Sequence, residues 1–116
     1  RMAQQLEKTR ETWRSNWSRK AGMEFSSRLN LWAQYLDELR AELPGHAAYF
    51  PTEVRQRVIL RLLQPELLDG VQAGEARKLR ALDAVLRGLL RPGPFVWEPE
   101  AAKCFPMDEY WFLYLR

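Results

Sequence analysis

Cysteine, histidine and β-branched side chains are scarce in this sequence of 116 residues, which contains one cysteine, Cys104, and one histidine, His46. A single cysteine excludes a disulfide within the chain, and one Cys with one His cannot supply the four ligands of a structural zinc site. The longest stretch without a formal charge, from Leu43 to Thr52, is ten residues, whereas a transmembrane helix needs roughly 18 apolar residues. We therefore expect no metal site and no membrane span.

The residue patterns of common active sites are also missing. No glycine-rich loop is followed by the Lys-Ser or Lys-Thr pair that would bind phosphate groups. A catalytic Cys–His pair would require His46 and Cys104 to meet in space, and almost any chain with both residues offers such a pair by chance. The acidic residues between Glu98 and Glu109 fit an exposed segment and a helix start better than a pair of catalytic carboxylates. We expect a protein that is not an enzyme, with no catalytic residues and no cofactor.

Leucine dominates the apolar residues, with 18 Leu against five Val, three Thr and one Ile. Leu, Ala, Arg, Glu and Gln favour helices, whereas strands are rich in β-branched residues. The sequence therefore predicts an all-α fold, a small helical bundle. Proline and glycine delimit a long helix from Met2 to Leu43, a loop from Pro44 to Phe50, a second helix from Pro51 or Thr52 to Pro65, and a third from about Glu75 to Leu90.

The chain has the length of one domain. The apolar stripe from Trp13 to Leu29 advances four residues at a time, so it turns by about 40° around a straight helix at each step. We therefore expect the long helix either to bend near Gly22 or to contact different partners with its two halves. The three predicted parts of the domain are a protruding or self-associating part of the long helix (1–24), a helical core (25–92) and an aromatic tail (93–116).

The C-terminal tail is rich in proline and ends in six consecutive large apolar or aromatic residues, 110–115. Such a run would promote aggregation if it were left in water, so we predict that the tail folds back on the helical core. The alternative is that the tail contacts another domain or a partner. The residues expected to dock the tail are Phe95, Trp97, Trp111, Phe112 and Tyr114.

Arginine is frequent, with 14 Arg against four Lys and a net charge of +3. Near the N-terminus, Arg10 and Arg14 alternate with Trp13 and Trp17, and arginine and aromatic residues are enriched where proteins bind each other. The apolar stripe has turned away from the core face at the two tryptophans. We therefore predict that this surface forms a homodimer or binds another protein. Arg and Trp can also bind single-stranded nucleic acid, but glutamates in the same turns are placed to neutralise the arginines, which makes nucleic acid an unfavoured partner.

Arg55 is placed near the middle of the apolar arc of the second helix, next to Val54. A buried arginine needs a carboxylate partner, so Arg55 is a candidate for a buried ion pair. The alternative, which we favour, is that it lies in the first turn and extends past the helix end into solvent.

The N-terminal residues lack the apolar segment of a signal peptide, and the chain has one thiol, so we expect a cytoplasmic protein. The predicted function is a non-enzymatic helical protein-interaction module that self-associates. The alternative is a nucleic-acid-associated helical protein that uses the Arg, Lys and Trp residues of its N-terminal helix.

Overall fold

In the computed structural model, which describes residues 2–67 and 73–116, the chain has the predicted all-α fold. Residues 68–72 of the predicted core lie outside the described residues. The α-helices are α1 (Met2–Ala41), α2 (Leu43–His46), α3 (Phe50–Glu53), α4 (Arg55–Leu63) and α5 (Ala73–Leu89). The 3-10 segments are Ala47–Tyr49, Gln64–Glu66, Pro99–Cys104 and Trp111–Leu113. None of the described helices combines the length and the apolar character that a membrane span requires.

Helix α1 is continuous over 40 residues and passes through Gly22 without interruption. At about 1.5 Å per residue its 40 residues account for the longest extent of the molecule, which is 62 Å against 31 and 19 Å in the other directions. From residue 25 onwards the positions that are at most 1% exposed, 25, 29, 32, 36 and 39, are separated alternately by four and three residues, which keeps one face of the helix on the core. The buried apolar residues of α1 are Ala21, Phe25, Leu29, Trp32, Tyr35, Leu36 and Leu39.

Helix α4 runs antiparallel to α1, as two side-chain contacts show. Arg28 on α1 donates a hydrogen bond to Gln56 at the start of α4 (3.1 Å). Earlier on α1, Trp17 donates to Glu66, which follows the end of α4 (2.9 Å). Residues later in α4 therefore lie beside residues earlier in α1.

Helix α5 runs parallel to α1. Ser26 on α1 donates to Glu75 in the first turn of α5 (2.9 Å), and one turn later Lys78 donates to Asn30 (3.3 Å). The face of α5 that meets the other helices carries the buried residues Leu79 and Leu86. The three helices α1, α4 and α5 thus enclose the core.

The segment from Pro44 to Phe50 is helical, so the predicted loop was wrong. Leu43–His46 forms the single turn α2, whose first positions include Pro44, and Ala47–Tyr49 continues it as a 3-10 turn. Proline is well placed in the first turn of a helix because its missing N–H has no partner there in any case. Pro44 therefore begins a new helical turn at the corner after α1.

The C-terminal tail packs on the bundle, as the sequence predicts. Residues 91–96 and 113–116 lie side by side and are joined by four backbone hydrogen bonds, of 2.8, 2.9, 2.9 and 3.0 Å. Gly93 permits this close approach, because a Cβ atom at that position would lie 2.8 Å from Cγ of Arg116. Leu113 is fully buried in the core.

Candidate interaction surface

The N-terminal half of α1 extends beyond the rest of the bundle. Every residue from Gln4 to Trp17 is exposed, and the first buried position of α1 among the described side chains is Ser18. Three large apolar side chains lie in this half with high exposed fractions: 57% for Leu6, 70% for Trp13 and 48% for Trp17. Exposed tryptophan of this extent marks a candidate binding surface.

These apolar residues lie in one row with Arg10 and Lys20. The five positions 6, 10, 13, 17 and 20 are separated by four, three, four and three residues, which is the spacing of the contact row in a helix that packs along another helix. We call the row Leu6, Arg10, Trp13, Trp17 and Lys20 the N-terminal face. Arg10, which the sequence predicts to belong to the interaction surface, therefore lies in the N-terminal face.

Arg14 lies apart from this row. Successive residues of a helix are separated by about 100°, so Arg14 extends to one side of Trp13. Arg14 is exposed, and no hydrogen bond between described residues joins it or Arg10 to the neighbouring glutamates. Glu7 and Glu11, the glutamates predicted to neutralise Arg10 and Arg14, thus form no direct ion pair with these arginines in the described part of the chain.

Trp17 is held at the base of the N-terminal face. Its indole Nε1–H donates a hydrogen bond to Glu66 Oε2 at 2.9 Å, which links α1 to the 3-10 turn after α4. Trp13, one turn further out, is the more exposed of the two indoles. The face therefore has one fixed and one projecting tryptophan, which lowers the ordering cost of binding at Trp17.

Arg55 is exposed, which agrees with the interpretation that we favoured and excludes it as the candidate for a buried ion pair; the buried arginine of α4 is Arg57. Arg57 donates from Nε to Asp83 Oδ1 at 2.9 Å and from Nη2 to Asp83 Oδ2 at 3.0 Å. Arg55 does not face the core because its side of α4 is exposed: Leu62, an apolar residue on that side, is 59% exposed, and the core face lies further round, at Leu60.

The Arg57–Asp83 ion pair also contacts the tail. The guanidinium carbon of Arg57 lies 4.4 Å from the centre of the Phe112 ring, a cation–π arrangement. Atom Nη1 of Arg57 is buried and has no hydrogen-bond partner among the described residues. One side chain thus connects α4, α5 and the tail. Sequence reasoning missed Asp83, although it is the only acidic residue on the inward face of α5 apart from the first turn.

The five residues predicted to dock the tail are all brought together on the bundle. Phe112 is fully buried, and the other four are partly buried against the core. Trp97 Nε1–H donates to the carbonyl of Pro51 at 2.7 Å, and the Tyr114 hydroxyl donates to the carbonyl of Phe105 at 2.7 Å. Trp97 therefore fixes the tail to the helices by a hydrogen bond as well as by apolar packing, and the Tyr114 bond holds two parts of the tail together.

Residues with reactive side chains are dispersed in the described part of the chain. Cys104 is exposed at the end of a 3-10 segment, and His46 lies beside Tyr49 with ring centres 6.3 Å apart and ring planes tilted by 51°. The hydroxyl of Tyr35 donates to the carbonyl of His46 at 2.9 Å, and burial, with the charges of Glu53 and Glu38, raises the pKa of Tyr35 to about 12. No group of three His, Cys, Asp or Glu side chains among the described residues is arranged to hold a metal ion.

Comparisons with protein families, with curated proteins and with solved structures found no match to this chain.

Proposed function

We propose that this protein is a helical interaction module that self-associates through the N-terminal face of α1. The observation that supports the proposal is the exposure of Leu6, Trp13 and Trp17 on a helical half that projects beyond the bundle. A partner helix that lies along the row would remove these side chains from water. Burial of a large apolar side chain contributes about 1.5–3 kcal/mol, so covering two indoles is a substantial driving force.

The length of the projecting half sets the strength of the interaction. Residues 4–17 are 14 residues, which span about 21 Å of helix. Two such segments packed side by side bury on the order of 1,000 Å² in total, which is the lower end of specific protein interfaces. We therefore expect a dimer with a dissociation constant in the micromolar range rather than a permanent one.

The charges favour an antiparallel arrangement of the two copies. In a parallel pair, Arg10 would face Arg10 and Lys20 would face Lys20, and the two bundles would lie at the same end. In an antiparallel pair the bundles lie at opposite ends, and each Arg10 can lie against an indole ring of its partner. The positive charge on both faces still opposes association, so added salt should strengthen the dimer by screening that repulsion.

Light scattering after size-exclusion chromatography tests the proposal. The wild-type chain should be partly dimeric at tens of micromolar, and Trp13→Glu with Trp17→Glu should be monomeric. The matched control is Met23→Glu, because Met23 lies on α1 with 69% exposure but outside the N-terminal face. A monomeric wild type, or equal dimerisation of the double variant and the control, would contradict the proposal.

A second candidate function is nucleic-acid binding by the same face, which the combination of exposed Trp13 and Trp17 with Arg10 and Lys20 favours. Indole rings stack on bases, and the basic side chains contact phosphates. The two candidates respond to salt in opposite ways, because phosphate binding releases counterions and weakens as salt increases. We expect no retention of a labelled single-stranded oligonucleotide at physiological salt. Submicromolar binding that is lost in Arg10→Glu with Lys20→Glu would favour the second candidate.

A further inference from the structure

The outward face of α5 carries three arginines, and a fourth, Arg91, follows two residues after the helix ends at Leu89. Arg77, Arg80, Arg87 and Arg91 occupy positions separated by three, seven and four residues, and Ala84 fills the gap in the row. The steps from Arg77 through Ala84 to Arg87 are the alternating three- and four-residue steps of one helix face, and they span about 15 Å. All four arginines are exposed, and we call this row the arginine face.

The two acidic side chains of α5 do not neutralise the charge of the arginine face, because both have partners elsewhere. Asp83 accepts both hydrogen bonds of Arg57, and Glu75 accepts from Ser26. No side-chain hydrogen bond between described residues involves Arg77, Arg80 or Arg91. The arginine face therefore presents four positive charges in a chain whose net charge is +3.

Half of the arginine face is fixed in position by the tail. The guanidinium carbon of Arg87 lies 3.9 Å from the centre of the Trp111 ring. The backbone of Arg91 exchanges two hydrogen bonds with Arg116, of 2.8 and 3.0 Å. Side chains and backbone that are held in place before binding lose less entropy when a partner arrives.

Small residues beside the row allow another helix to come close. Ala81, Ala84 and Gly88 follow each other at steps of three and four, and all are exposed. A Cβ atom at Gly88 would meet nothing within 4 Å, so packing within the chain does not require glycine there. Glycine is a poor helix former, and at this exposed helical turn its lack of a side chain leaves room for the backbone of another helix.

We propose that the arginine face binds an acidic helix of a partner protein. The spacing of Arg77, Arg80 and Arg87 on α5 matches carboxylates that recur every three and four residues on a second helix, and arginine forms two parallel hydrogen bonds with a carboxylate. The net charge of the chain is only +3, a weak electrostatic attraction for a polyanion, and nucleic acid is therefore the less favoured occupant. This surface is separate from the N-terminal face, so the proposal does not depend on self-association.

Fluorescence anisotropy with a labelled synthetic peptide tests the proposal. The probe is a helical peptide of about three heptads with Glu at each a and d position, and the comparison peptide has the same composition with Glu distributed around the helix. At about 50 mM salt the full chain should bind the first peptide at least about tenfold more tightly than the second. Equal affinity for the two peptides, or binding of neither, would overturn the proposal.

Variants of the full chain locate the binding surface. Arg77→Glu with Arg80→Glu should weaken peptide binding at least about tenfold, and both positions lie away from the tail contacts. The matched control is Arg40→Glu with Arg55→Glu, which makes the same change in net charge at two exposed arginines of other helices. Equal weakening by the two double variants would overturn the proposal, because it would show a response to net charge alone.

Two further variants complete the test. Gly88→Ala should raise the melting temperature, because alanine favours helix, and should weaken peptide binding, because its methyl group obstructs close approach. Trp13→Glu with Trp17→Glu should leave peptide binding unchanged even if it abolishes the dimer. Tighter binding of a short DNA duplex than of the peptide, lost in Arg77→Glu with Arg80→Glu, would overturn the choice of an acidic helix as the partner.

Discussion

Removal of one member of the Arg57–Asp83 ion pair should destabilise the fold strongly. Replacement of Arg57 by Met leaves the Asp83 carboxylate at the edge of the core without its two hydrogen bonds, and replacement of Asp83 by Leu leaves a buried guanidinium without its counter-charge. Loss of one partner of a buried pair costs about 3–5 kcal/mol. The side chain of Asp83 is 20% exposed, so water can partly solvate it, and Arg57→Met should lie at the low end of that range.

Simultaneous replacement of both residues should be much less harmful. Met and Leu fill comparable volume, need no hydrogen bonds and can pack on Phe112, and apolar replacement of a buried pair is often neutral or stabilising. The free energy of unfolding of a chain of this length is about 6–17 kcal/mol. Each single variant should therefore remain folded but lose a large share of its stability, while the double variant stays near the wild type.

Urea denaturation followed by far-ultraviolet circular dichroism measures these changes. The matched control is Arg61→Met, because Arg61 lies on the same helix, pairs with Glu109 at 3.3 Å and lies over the Tyr110 ring, but is partly exposed. Its loss should cost no more than about 1 kcal/mol. The reasoning is refuted if Arg57→Met costs no more than Arg61→Met, or if the cost of the double variant equals the sum of the two single costs.

Two further predictions concern the tail and the titration of a core residue. Deletion of residues 106–116 removes Phe112, Leu113 and Leu115 from the core, and burial of each of these side chains contributes about 1.5–3 kcal/mol. The deletion should therefore lower the melting temperature by many degrees or abolish soluble expression. Unchanged stability with reduced oligomerisation would instead identify the tail as a partner-binding segment. Tyr35 has a folded-state pKa raised to about 12, above the ordinary value of 10.0, so the stability that it contributes is complete below pH 10 and is lost as the pH rises towards 12. Tyr35→Phe should remove that part of the alkaline loss of stability in urea denaturation, and an unchanged pH profile would show that other groups cause it.

Helical periodicity predicted the three main helices, because proline and glycine mark their ends and each has an apolar face, but the predicted second helix is divided at Val54 into α3 and α4. The predicted third helix, Glu75 to Leu90, differs from α5 by two residues at its start and one at its end. Docking of the tail was predictable because a run of aromatic residues cannot remain in water. The burial of Arg57 was not predictable, because the side of α4 that faces the core depends on where α1 and α5 lie around that helix. The contact between Trp17 and Glu66 joins residues 49 positions apart, and local sequence pattern carries no sign of it.

An interprotomer distance measurement tests the central claim, self-association through the N-terminal face, most directly. A spin label is attached at Thr12→Cys, an exposed position beside the face, after the exposed Cys104 has been replaced by Ser. Packed helices lie about 8–10 Å apart, so pulsed dipolar spectroscopy at high protein concentration should report a short distance between the labels of two copies. The distance should vanish when Trp13→Glu and Trp17→Glu are added and persist when Met23→Glu is added. Absence of a distance in the labelled parent, or its persistence in the double tryptophan variant, would contradict the claim.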